Sequence, residues 1–144
     1  MTRRRLPALA LLAITAALVA GAFALAGGGA SAATGRDSYS NCLRHAQSTF
    51  DMDQCVAAER NRLKPLLAAA YKNLLTDPNS NKHRRHLIAV SEKAWISYMK
   101  HDCVYAGNQA QGGTLAPIIE GECLVARTRT RIGDLRAFAV PLGR

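Results

Sequence analysis

The stretch from Ala94 to Arg131 decides the fold: AWISYMKHDC (94–103), VYAGNQAQGGTLAPIIEGEC (104–123), LVARTRTR (124–131). Its first part reads as the end of a helix, with Trp95, the only tryptophan, two helical turns before Cys103. Gly107, Gly112 and Gly113 then mark a turning connection. Thr114 offers a side-chain cap and Pro117 suits a first helical turn, so a second helix starts there. It runs to about Phe138, with Leu124, Thr128, Ile132, Leu135 and Phe138 along one side and Arg127, Arg129, Arg131 and Arg136 elsewhere.

Working upstream, a helix from about Lys82 to Ala106 carries Leu87, Val90, Ala94, Trp95, Tyr98 and Met99 as its apolar stripe. Its first turns hold Lys82, His83, Arg84, Arg85 and His86, beside the positive end of the helix dipole. The polar run 76–81 is a loop. Before it, Val56, Leu63, Leu67, Ala70 and Leu74 share one face of a helix from about Gln54 to Leu75. Pro65 should kink or break that helix near residues 61–64, because it lacks a backbone donor and crowds the preceding turn. FDMD (50–53) reads as a turn, with Asp51 or Asp53 as cap, and a short helix spans about Asp37 to Gln47. No strand alternation or internal repeat is present in the sequence. The expected fold is all-α: a small up-down bundle of three long helices plus a short N-terminal helix.

The chain starts with Arg3-Arg4-Arg5, and its next charge is Arg36. Between them runs an apolar segment rich in alanine and leucine that ends in Ala30-Ser31-Ala32. A basic start, an apolar run and a small-residue ending predict an export signal over residues 1–32, cleaved after Ala32. Retention as a membrane anchor is the other reading of the same segment. A helical domain then occupies 33–139, with a loose tail at 140–144. Cys42, Cys55, Cys103 and Cys123 all follow the leader, and an even count in an exported chain predicts two disulfides. In an up-down arrangement all four approach one pole of the bundle. Three pairings are possible, and Cys42–Cys55 with Cys103–Cys123 is favoured because each closes a short connection. Each bridge would contribute roughly 2–4 kcal/mol by restricting the unfolded chain.

The formal charge is +9, and loss of the three leader arginines leaves about +6, enough to favour anionic surfaces. Export disfavours nucleic acid as a partner. Metal or cofactor binding is not expected: no C-x-x-C occurs, and His83 and His86 lie at the opposite end of their helix from His101. Bridged cysteines supply no thiolate nucleophile. Glu120 and Glu122 are two apart on a helix and point in different directions, so they make no catalytic carboxylate pair. The residues therefore point to binding rather than catalysis.

The ordered set Cys42, Thr49-x-x-Met52-x-x-Cys55, Leu67-x-x-x-Tyr71, Ala94-Trp95-Ile96, Cys103, Gly112-Gly113-Thr114, Cys123, Thr128-x-x-Arg131 and Leu135 resembles the lysozyme inhibitor LprI-like family. That family comprises small, exported, mostly helical bacterial envelope proteins, and Pro65 falls where it normally has an unbroken helix. The resemblance implies a periplasmic, envelope or extracellular protein that inhibits lysozyme by occupying its cleft. On that reading the contact residues are Lys100, His101, Tyr105, Asn108, Gly112, Gly113, Thr114, Arg127 and Arg131. The alternative is an envelope-associated protein that binds an anionic polymer or another protein, with the arginines of the last helix as its contacts. In neither case would the cleaved chain be an integral membrane protein.

Overall fold

Ser48 opens the longest helix. Its Oγ accepts a hydrogen bond from the Asp51 amide at 3.2 Å, while Asp51 Oδ2 accepts from the Gln47 amide at 3.1 Å and from the Ser48 hydroxyl at 2.8 Å. This reciprocal box satisfies amides that the helix itself leaves unpaired. The helix therefore starts at Thr49, and FDMD forms its first turn instead of a turn before it. The computed structural model describes residues 29–139. Four helices make up that span: α1 (Gly29–His45), α2 (Thr49–Thr76), α3 (Lys82–Asn108) and α4 (Ala116–Phe138). No strand occurs among the described residues. The fold is the expected all-α bundle.

Helix α1 starts earlier than the sequence suggested, at Gly29, and ends at His45. Most of the expected leader and the 140–144 tail lie outside the described residues. Among the described residues no helix is long and apolar enough to cross a membrane. Pro65 does not break α2, which continues through it to Thr76. The carbonyl left without an amide partner belongs to Asn61, which is exposed along with Pro65, so water can satisfy it. Asn81 caps α3 by accepting from the Arg84 amide at 2.8 Å. Thr114 is not the cap of α4: the cap position is Leu115, without a side-chain bond, and Pro117 sits in the first turn.

Helix α4 is the spine. One of its sides packs on α2 through Ile118, Val125 and Ile132 against Val56 and Leu63, and further along through Leu135 against Ala70 and Leu74. Low numbers on α2 meet low numbers on α4, so the two run parallel. A Cβ added at Gly121 would collide with the Val56 side chain, so the helices approach closely at that point. The other side of α4 faces α3, antiparallel to it: Gly107 lies by Ala116 and Glu120, Met99 by Thr128, and Glu92 by Arg131. Helices α2 and α3 scarcely touch each other.

Disulfides join Cys42 to Cys55 and Cys103 to Cys123, with Cα–Cα distances of 5.8 and 5.3 Å. The favoured pairing is the one formed, and no cysteine among the described residues is free. One bridge ties α1 to the start of α2, and the other ties the end of α3 to the start of α4.

The apolar stripe expected on α3 is a correction. Leu87, Val90 and Tyr98 are each more than half exposed, and Ala94 is exposed too. The side turned to α4 carries Ile88, Glu92, Trp95, Met99, Cys103 and Gly107. One of its positions is charged in the sequence, a second acid, Asp102, lies at its edge, and both charges are neutralised from α4. Glu92, 7% exposed, accepts from Arg131 Nε at 2.9 Å, and Asp102 accepts from Arg127 Nε at 2.9 Å. On α4, Phe138 is likewise solvent-facing, while Leu124 and Thr128 are half-buried.

Candidate functional site

The end of α3, the connection 109–115 and the start of α4 form a distinct pole. Successive short-range bonds wind the connection tightly: Ala110 N–H to Gly107 O at 3.1 Å, Gln111 to Asn108 at 3.0 Å, Gly113 to Ala110 at 3.0 Å and Ala116 to Gly113 at 2.9 Å. Each amide in that list reaches back three residues, so the loop is a run of tight turns. Gly112 sits at φ +77° and Gln111 at φ +50°. Glycine takes such a conformation without cost, but for glutamine it costs roughly 1–2 kcal/mol. A strained residue with an exposed carboxamide therefore sits at the loop tip, and sequence reasoning passed over it.

The base of this loop is rigid. Cys103 is fully buried beneath it, bonded to Cys123. At Gly107, an added Cβ would lie 2.9 Å from the Ala116 carbonyl oxygen and 3.0 Å from Glu120 Cβ. Gln111, Gly112, Gly113, Thr114 and Leu115 above it are all exposed. From Val104 to Ile119 the chain carries no ionisable charge, although the protein as a whole is +9. This pole is a neutral surface of amides, hydroxyls and Tyr105, which is 70% exposed.

The residues expected to meet a partner divide into two groups. Tyr105, Asn108, Gly112, Gly113 and Thr114 come together, exposed, at this pole. Lys100 and His101 lie one to two turns below on α3, both exposed, and His101 Nδ1 is 2.7 Å from the Ser97 carbonyl oxygen. The arginines lie elsewhere. Arg127 is held by Asp102 at 2.7 Å, with its guanidinium 5.7 Å from the Tyr98 ring centroid. Arg131 is interior, 6% exposed, bonded to Glu92 and Ser91 and stacked over Trp95. Arg129 donates to Glu59 at 2.8 Å and lies over Tyr39. These three arginines are internal ties between helices.

Glu59 is the centre of one such tie. Burial alone would raise its pKa, but hydrogen bonds from Arg62 and Arg129 outweigh it and hold the carboxyl below its ordinary value. Tyr39 is shifted upward, chiefly by burial and then by the nearby Glu122, and its hydroxyl has no partner. Among the described residues, the one group with the spacing for a metal ion is Asp102, Cys103 and Cys123. Its two sulfurs are bonded to each other and its carboxylate is engaged by Arg127, so it lacks the thiolates a soft metal would require.

The chain is thus a four-helix domain with two bridges at one pole and an exposed, uncharged, tightly wound loop between the helices joined by the second bridge. The profile of the family described as Lysozyme inhibitor LprI matches residues 40–135, and the chain belongs to that family. It is also similar to an uncharacterized protein of Rhizobium meliloti (strain 1021), 37% identical over 104 residues, which cover 65% of this chain and 75% of that protein. No solved structure matches the chain.

Proposed function

We propose that the protein is an exported inhibitor of lysozyme that inserts the 109–115 loop into the enzyme's sugar-binding cleft. Family membership favours lysozyme as the partner, and the observation that carries the mode is the tightly wound neutral loop standing on the Cys103–Cys123 bridge. A loop already wound by its own hydrogen bonds loses little conformational freedom on binding. Its side-chain amides, Asn108, Gln109 and Gln111, can donate to carboxylates and accept from amides, the groups a glycosidase cleft presents to a sugar. Its lack of charge also matters: a basic enzyme and a basic inhibitor repel at long range, and an uncharged tip keeps that repulsion out of the contact. The rival reading, attraction of an anionic polymer to the arginines of α4, is weakened because Arg127, Arg129 and Arg131 each have a carboxylate partner.

Gln111→Gly is the discriminating variant. It removes the carboxamide and relieves the positive-φ cost, while glycine adds back a comparable entropic cost, so folding stability should stay nearly unchanged. In a turbidity assay of peptidoglycan lysis, the parent should inhibit lysozyme at low and at moderate salt. The variant should be weaker by about tenfold at the same melting temperature. Absence of inhibition by the parent at micromolar concentration would sink the reading. Inhibition that vanishes with added salt and ignores Gln111 would replace the loop with a charge-driven contact.

A further inference from the structure

The exposed side of α3 has an order of its own. Leu87, Val90, Ala94, Tyr98 and Tyr105 recur at three-, four- and seven-residue steps, so they fall on one narrow arc, opposite the side that meets α4. Leu87 is 52% exposed, Val90 and Tyr98 are each 53% and Tyr105 is 70%, and Ala94 is exposed too. The stripe is about 27 Å long at the helical rise per residue. No described helix covers it. Along one edge His86, Lys93 and Lys100 repeat at seven-residue intervals, all exposed, and Arg127 closes over Tyr98 on the other. The two acids of α3, Glu92 and Asp102, are both consumed by arginines of α4. The outer face of α3 is therefore a largely apolar ridge, interrupted by the exposed His101, with a cationic edge and no unpaired carboxylate.

We propose that this face is a docking surface for an anionic lipid bilayer, on which α3 lies in the plane of the interface. The charge pattern selects the occupant. A second copy of the chain would bring two cationic edges together, which repel. The stripe is also a single convex ridge, because α4 lies on the opposite side of α3 and no groove runs beside it to receive a partner's side chains. A bilayer surface adapts to a ridge of this shape. Leucine and valine enter the headgroup boundary, tyrosines settle at the interface with their hydroxyls in water, and lysine stems reach toward lipid phosphates. Docked in this way, the protein would keep the 109–115 loop at the membrane surface, beside the last turn of α3.

The test is vesicle co-sedimentation of the chain without its expected leader, residues 33–144, on phosphatidylglycerol–phosphatidylcholine and on pure phosphatidylcholine vesicles. Three variants keep it specific: Lys93→Glu with Lys100→Glu, Leu87→Ser with Val90→Ser and Tyr105→Ser, and Phe50→Ser as a control at an exposed apolar residue on α2. All the substituted side chains are exposed, and helical circular dichroism checks that each variant folds. The parent should prefer the anionic vesicles, with the preference falling as salt rises. Each α3 variant should lose about tenfold in partition to them, and the control should match the parent. Equal partition of parent and α3 variants would overturn the proposal, since membrane affinity would then come from another part of the chain. So would a parent dimer in sedimentation velocity that the serine variant converts to monomer, which would make this face a contact between copies.

Discussion

Glu59 shows how much of this bundle rests on single charged residues. It is 4% exposed, yet it is bonded to Arg62 on its own helix at 2.6 Å and to Arg129 on α4 at 2.8 Å. A buried carboxylate survives only where such donors offset the loss of water. Because its folded pKa lies below the ordinary value of 4.5, the folded state resists taking up a proton that the unfolded chain accepts readily. The stabilisation is therefore complete at neutral pH and is lost as acidification passes below about pH 4.5 toward the depressed folded value. Glu59→Gln should lower neutral-pH stability by about 2 kcal/mol. The gap between parent and variant should close on acidification, as read from denaturant melts across the acid range. Asp51 is also held low, mainly by the Ser48 hydroxyl, but it is present in both proteins and cancels in the comparison. A gap that stays constant with pH would mean that Glu59 contributes packing rather than charge.

At the scale of elements, the sequence disclosed the helices and their pairing at the cysteine pole, but it misassigned the faces of α3. Two stripes compete on that helix. The outer one, with Leu87, Val90, Ala94 and Tyr98, scores better by hydropathy. The inner one contains Glu92 and the outer edge of its last turns contains Asp102, whose arginine partners lie 39 and 25 residues away in sequence. Periodicity counts apolar side chains and is blind to a charge neutralised from another helix. The loop was legible from its glycines, whereas the strained Gln111 was not, because nothing local marks a glutamine for positive φ. Pro65 does not end α2 for a related reason: a lost hydrogen bond is tolerable where the orphaned carbonyl meets water. Gly121 carries the element-level prediction. Its missing side chain lets α4 close on Val56, so Gly121→Ala should cost about 1–3 kcal/mol by overpacking even though alanine is the better helix former. Combining it with Val56→Ala should recover part of that loss, a double-mutant coupling that denaturant titration can measure. Purely additive losses would show that the two helices are not in register at this contact.

Across the whole molecule the covalent ties and the packing core divide the work unevenly. The bridges join α1 to α2 and α3 to α4, while α2 and α4 are held to each other by Val56, Leu63, Ile118, Val125 and Ile132 and by the Glu59–Arg129 pair. Exposure separates the two bridges. Cys42 is exposed at the end of α1, whereas Cys103 is fully buried under the 109–115 loop. Thiol exchange requires access of an attacking thiolate to a sulfur, so Cys42–Cys55 should be reduced first. Timed alkylation under mild dithiothreitol should label Cys42 and Cys55 well before Cys103 and Cys123, with little loss of helical circular dichroism. Lysozyme inhibition should persist through that first stage, since the loop and its bridge are still intact, and should fall when Cys103–Cys123 opens. Labelling of all four cysteines in one step would show instead that the bundle opens as a unit before either bridge is reached. In that case α1 would be integral to the fold rather than a strap across the start of α2.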